Sequence, residues 1–282
     1  MEKRIETRQS DEGSARARPL SDNAVSRLLI LQENIRCAKG DRQGRQAKTV
    51  QTVRLCADDV VLATFAREGN DMKNILCYGD SNTFGTNPCG GRWDYQSRWT
   101  GRLATELGPE YRIIEEGLGG RSTVWEDPLE PHRNGLATLP IFLRSHRPLD
   151  LVILSLGTND CKTYFNASPR VIAKGVEKLI ETIQTYRYGE RYPTPRILLV
   201  APIHIGEDVE NSPFAGFDMS SHEKSLQLAP LFQRTAKLMK ATFFDAAPVA
   251  FPSTIDQLHM DADSHKNLAE ALVPIVKAIL QD

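Results

Sequence analysis

Two stretches of the chain, Leu149-Asp150-Leu151-Val152-Ile153-Leu154-Ser155-Leu156 and Ile197-Leu198-Leu199-Val200-Ala201, are apolar at nearly every position. A strand with one wet face alternates apolar and polar side chains, so strands apolar on both faces must be covered twice, as they are in parallel sheets between helical layers. Shorter candidates at residues 75–78, 111–115 and 242–245 join 149–156 and 196–201 to make five expected strands. Helical patterns fill the intervals at residues 98–107, 134–145, 168–186, 220–239 and 264–280, and Pro169 stands where a first helical turn tolerates it. This alternation predicts an α/β fold of three layers, α/β/α, around a five-stranded parallel sheet with flavodoxin-like winding. The segments 86–97, 121–133 and 203–219, rich in Pro, Gly, Trp and charge, read as rim loops.

Residues 72–282 are expected to form this one domain, with Met72-Lys73-Asn74-Ile75 as the natural start of translation and of the first strand. Residues 1–71 are Arg-, Gln- and Asp-rich with only two short apolar stretches, which predicts a disordered or loosely helical N-terminal extension. The chain of 282 residues is 40% hydrophobic and carries a formal net charge of -1. It can bury a full core, and no global field draws it to nucleic acid or to a membrane surface. No stretch approaches the roughly 20 apolar residues of a membrane helix. Cys37, Cys56, Cys77, Cys89 and Cys161 are odd in number and scattered, so neither a disulfide framework nor a zinc site is expected, and a cytoplasmic location is.

The chemistry gathers where strands end. Gly79-Asp80-Ser81-Asn82-Thr83-Phe84-Gly85 follows the apolar run Ile75-Leu76-Cys77-Tyr78, which places a serine hydroxyl on a short polar turn facing the ligand crevice of an open α/β sheet. A serine nucleophile needs a base, a carboxylate that holds the base in the right tautomer, and donors for the oxyanion. In Asp256-Gln257-Leu258-His259 the carboxylate can reach Nδ1 within one turn, leaving Nε2 for Ser81. The Ser81 amide, the Gly120 amide in Gly117-Leu118-Gly119-Gly120, and the Asn159 carboxamide in Gly157-Thr158-Asn159-Asp160 are the candidate oxyanion donors. Each residue alone has a plain structural alternative: a turn or capping serine, a tight-turn glycine pair, a capping asparagine, a satisfied histidine. Four strand-end motifs in the order nucleophile, donor, donor, base are hard to obtain by accident.

This set of blocks resembles the GDSL or SGNH hydrolase superfamily over about residues 74–280. Residue by residue, the resemblance makes Ser81 the nucleophile, Gly120 and Asn159 the donors of blocks two and three, and Asp256 with His259 the block-five pair. Arg98-Trp99-Thr100-Gly101, Glu115-Glu116-Gly117-Leu118, Pro148-Leu149-Asp150-Leu151-Val152-Ile153 and Gly157-Thr158-Asn159-Asp160 look like the arylesterase and acyltransferase branch. That branch implies the SGNH fold, cleavage of short-chain acyl or aryl esters through an acyl-enzyme without a cofactor, some acyl transfer, and a homo-oligomer. The chain departs from the pattern at Asn82, where leucine is usual, and at Phe84, where some members carry tryptophan; both bear on the shape of the acyl pocket.

Substrate contacts are expected from the turn and the aromatic rim, at Asp80, Asn82, Phe84, Trp99 and Trp125. Sugar stacking on Trp93, Trp99 and Trp125 makes carbohydrate O-deacetylation an alternative, and a non-catalytic ligand-binding module is another. No metal site is expected, because His259 and His265 with Asp256, Asp261 and Asp263 fit no strong ligand spacing.

Overall fold

The computed structural model describes residues 72–281; the expected extension over residues 1–71 lies outside the described residues. Five strands, β1 (Lys73–Gly79), β2 (Tyr111–Gly117), β3 (Leu151–Ser155), β4 (Arg196–Ala201) and β5 (Thr242–Asp245), form one sheet in the order β2-β1-β3-β4-β5. Every pairing is parallel. Gly79 lies level with Gly117 on one side and Ser155 on the other, so three strands end at the same height and their loops open onto the same edge. The winding reverses between β1 and β3, and in sheets of this kind that reversal opens a crevice outside the carboxyl ends.

Among the described residues, five helices longer than one turn lie between strands, α2 (Trp99–Leu107), α3 (Gly135–Ser145), α4 (Pro169–Thr185), α5 (Met219–Ser225) and α6 (Leu228–Met239), and α7 (Ala262–Gln281) follows β5; the single turn α1 (Ser81–Phe84) precedes them. The helix expected over 220–239 is broken between α5 and α6. Pro230 has no N–H to continue a ladder from the preceding turn, and a proline is tolerated within the first turn of a new helix, where it falls in α6.

The doubly apolar strands serve two cores by simple alternation. Leu76, Tyr78, Val152, Leu154, Leu199 and Ala201 face one layer, with Leu139 and Leu143 of α3, Ile172, Val176 and Leu179 of α4, and Phe232 of α6. Their neighbours Ile75, Cys77, Leu151, Ile153, Leu198 and Val200 face the other, with Trp99 and Leu103 of α2 and Leu268, Leu272 and Val276 of α7. The strand period of two thus fills both faces. No helix among the described residues is long and apolar enough to cross a membrane.

Candidate active site

β1 delivers the serine. Asp80 caps α1 by accepting the Asn82 amide at 3.0 Å, and Gly85 closes the turn in the left-handed region, its amide donating to the Ser81 carbonyl at 2.8 Å. The turn rests directly on the end of β2: a Cβ at Gly117 would stand 2.1 Å from the Phe84 nitrogen, so only glycine permits the approach. Ser81, first in α1, has an amide with no acceptor among the described residues. Asp80 is buried, and burial pushes its carboxyl up to about 6 against the pull of the Asn82 amide and of His259.

The loops after β2 and β3 are bolted together. Gly120 adopts φ +77°, and its amide likewise finds no acceptor among the described residues. Asn159 donates one Nδ2 proton to the Arg121 carbonyl at 3.1 Å, which fixes the carboxamide plane and leaves its second proton. Asp160, fully buried, accepts from the Thr123 amide at 3.0 and 3.1 Å and from the Thr123 hydroxyl. Burial still pushes Asp160 up to about 7, with the charge of Asp80 adding to the effect. The Arg121 guanidinium, buried below, donates to the Gly79 carbonyl at 2.8 Å and to that of Glu116, and lies 4.2 Å above the Tyr78 ring.

The base loop is a tight turn built around one carboxylate. Asp256 accepts from the Leu258 amide at 3.1 Å, the His259 amide at 2.9 Å and His259 Nδ1 at 2.6 Å, while Gln257 bends the chain at φ +64°. Burial pushes the Asp256 carboxyl up, but these donors outweigh it and hold the group below the usual carboxylate range. The bond to Nδ1 settles the tautomer and leaves Nε2 without a hydrogen bond among the described residues. The ring of Phe214 packs edge-on to the imidazole at 5.3 Å.

Ser81, Gly119, Gly120, Asn159 and His259 line one cavity of about 430 Å3. Leu129, Glu130, Arg133, Lys162, Tyr164 and Phe214 form its outer wall. That wall is braced by Asp127, which accepts from Lys162 Nζ at 2.7 Å and from the Tyr164 hydroxyl at 2.8 Å. The structure therefore brings Ser81, Gly120, Asn159 and His259 to one surface with Asp256 behind the imidazole.

The five expected substrate contacts do not line this cavity. Asp80 and Asn82 are buried and hydrogen-bonded within the turn and to the base loop; Trp99, 2% exposed, belongs to the core under α2 and α7. Phe84 is covered by the Arg92 guanidinium at 4.2 Å, and Trp125 packs on Phe165 at 6.1 Å. Large aromatic rings gain more from burial than from a wet rim. Most of the outer wall comes instead from the segments 121–133 and 203–219, whose Pro, Gly and charge content marked them as loops without marking individual side chains. His265 Nδ1 accepts the Trp99 amide at 3.2 Å, and no group of three or more His, Cys, Asp or Glu among the described residues could hold a metal ion.

The model of the GDSL-like Lipase/Acylhydrolase family matches residues 77–269. The chain belongs to this family. Among solved structures, the aryl esterase of M. smegmatis is 38% identical with a TM-score of 0.69, the match covering 74% of this chain and 100% of that one. Est24, a carbohydrate acetylesterase from Sinorhizobium meliloti, is 39% identical with a TM-score of 0.69, covering 73% and 99%. A carbohydrate acetylesterase family member from Sinorhizobium meliloti is 36% identical with a TM-score of 0.71, covering 75% and 100%. No curated protein matches the chain. With these relatives, the five-stranded sheet is the SGNH hydrolase fold, and this GDSL-family chain is a carboxylic ester hydrolase.

Proposed function

We propose that Ser81 is the nucleophile of a cofactor-independent esterase for short-chain acyl esters. The observation that carries this is the single cavity shared by Ser81, Gly120, Asn159 and His259, with Asp256 bonded to Nδ1 at 2.6 Å. Ser81 Oγ attacks the ester carbonyl carbon while His259 Nε2 takes its proton; the amides of Ser81 and Gly120 and the free Asn159 Nδ2 proton stabilise the oxyanion. The imidazolium returns the proton to the departing alcohol, leaving an acyl-serine. Water then attacks, His259 takes its proton and passes it to Ser81 Oγ, and the acid leaves. A cavity near the small end of ligand sites supports a short acyl group. p-Nitrophenyl acetate, butyrate and octanoate separate the possibilities: the rate falls with chain length and vanishes in Ser81→Ala. Equal rates on octanoate would reject the small pocket.

A second reading, deacetylation of a carbohydrate, is favoured by the outer wall, where Glu130, Arg133 and Lys162 stand beside Tyr164 and Phe214. Charged groups with aromatic faces suit a ring bearing hydroxyls, and the likeness to Est24 points the same way. Acetate release from acetylated sugars, compared with simple esters at equal concentration, decides it. Passage of the acyl group to an added alcohol is the further activity, read as ester formed per acid released. The free thiols of buried Cys77 and Cys161 support a cytoplasmic location. The exposed Leu129, Phe251 and Ile255 support self-association, which a sizing measurement in solution checks.

A further inference from the structure

Asn82 follows the serine immediately, yet the residue is only 9% exposed and does not line the cavity. Its amide crosses instead to the far end of the chain. Nδ2 donates to the Leu258 carbonyl at 3.1 Å, and Oδ1 accepts the Met260 amide at 3.0 Å. These are the two backbone groups on either side of His259. A primary amide can donate and accept from one plane, and so pairs with a stretch of backbone as a neighbouring strand would. A leucine, branched at the same carbon but ending in two bulkier methyl groups, can do neither. From its other side the loop is tied by Trp93 Nε1, which donates to the Met260 carbonyl at 3.2 Å, and by the Ser253 amide, which donates to the His259 carbonyl at 2.7 Å.

The far end of Asn82 is equally fixed. Its own amide is held by Asp80, in the one-turn helix whose first residue is Ser81. Nucleophile and base are thus joined by a path of one residue in sequence and two hydrogen bonds in space. We infer that Asn82 is a positioning residue, which sets the place of the His259 imidazole relative to Ser81 Oγ and does not touch substrate. The inference rests on the esterase reading above.

Misplacing a reacting group by about 1 Å can cost about 10²-fold in rate, so the loss should appear in kcat. The experiment compares the full chain with Asn82→Leu, which loses both bonds, Asn82→Asp, which keeps the acceptor and sets a carboxylate oxygen against the Leu258 carbonyl, and Ser81→Ala. Three quantities are read on protein shown to be folded by its near-ultraviolet spectrum: kcat and KM for p-nitrophenyl acetate, and the rate at which an organophosphonate labels Ser81. Labelling needs the base but not the acyl pocket, and a purely structural role would leave it unmoved per folded molecule. The expected result is a fall of about 10- to 100-fold in kcat with a parallel fall in labelling, and KM within about twofold. Should Asn82→Leu fail to fold, Asn82→Asp carries the comparison. A wild-type labelling rate in the folded variant overturns the inference, as does a raised KM at unchanged kcat, which would return Asn82 to substrate binding. Hydrolysis that survives Ser81→Ala overturns the esterase reading as well; Ser81-dependent hydrolysis indifferent to Asn82 overturns this inference alone.

Discussion

The two ends of the sheet carry cavities lined by different residues. At the amino end a space of about 720 Å3 lies between the start of β4, β5 and the last turns of α7, lined by Gln184, Pro195, Ile197, Lys240, Pro274 and Ile279 among others. The space at the carboxyl end is smaller, about 430 Å3, but the five polar groups proposed for ester hydrolysis converge on or behind it. Size therefore does not locate the chemistry; the direction of the strands does. In a parallel sheet every strand end faces the same way, so loops from β1, β2 and β3 and the turn before α7 meet at one edge, whereas the other edge receives returning helices. The carboxyl edge also holds the costly groups. Asp80 and Asp160 are buried acids displaced upward, and the Ser81 and Gly120 amides lack partners among the described residues. Such departures from local satisfaction collect at functional sites.

The sharpest test of this contrast is Ser81→Ala, which should lower ester hydrolysis by on the order of 10⁴–10⁶-fold while the melting temperature holds; retained turnover would break the comparison outright. Next comes Asn159→Ala, expected to reduce kcat by about 10²–10³-fold as one oxyanion donor is lost, with KM for a small ester little changed. Gly120→Ala should cost less. The left-handed backbone disfavours a Cβ by about 1–2 kcal/mol, and the new methyl would stand 2.5 Å from Glu130 Oε2, the end of an exposed side chain paired with Arg133 Nε at 3.2 Å. A modest rise in KM with a loss of kcat within about tenfold, in proportion to that strain, would mark Glu130 as movable.

The pH dependence of stability sharpens the contrast further. Burial holds the Asp80 carboxyl at about 6 rather than 3.8, so the native state keeps a proton that the unfolded chain has released; stability is lost as pH rises from about 4 to about 6. A displacement of that size bounds the loss at about 3 kcal/mol. Asp80→Asn retains an oxygen to cap α1 and should be more stable than the parent in denaturant at pH 8, with the gain gone at pH 4. His265 has the opposite sign. Burial pushes it down to about 3 from 6.5, so the unfolded chain takes up a proton the native state refuses, and stability is lost as pH falls from about 6.5 toward 3. The smallest effect is expected at the amino end, where Ala278→Trp fills part of the larger cavity and should leave kcat/KM within about twofold, since additivity holds for distant sites. A larger change would show the two ends to be coupled.

Much of the fold was legible because its signals are local. Apolar runs at strand period, Pro169 in a first turn and glycines after strands are read within a few residues, and the five strands lie where those runs are. Ser81, Gly120, Asn159, Asp256 and His259 were legible as positions for the same reason: a polar turn after a buried strand, and a carboxylate within one turn of an imidazole. The break at Pro230 was also present in the sequence, as a residue unable to continue a helix. The side chains that line the cavity's outer wall were not legible. Whether Trp99 covers the core or faces solvent depends on the packing of α2 against α7, residues 160 or more positions away. Nor did Glu130, Arg133 and Phe214 carry any local sign that they would wall the cavity.

By itself, the sequence determined the element types, their order and the chemical kind of each strand-end group, since those follow from dihedral preference, periodicity and turn chemistry within a single segment. Only the tertiary structure decided which groups meet. The Asn82 amide finds Leu258 and Met260 across separations of 176 and 178 residues, and Thr123 finds Asp160 across 37. Contacts of that reach are set by the parallel register of the strands and the layer each helix covers, and a residue's neighbours along the chain carry no record of them.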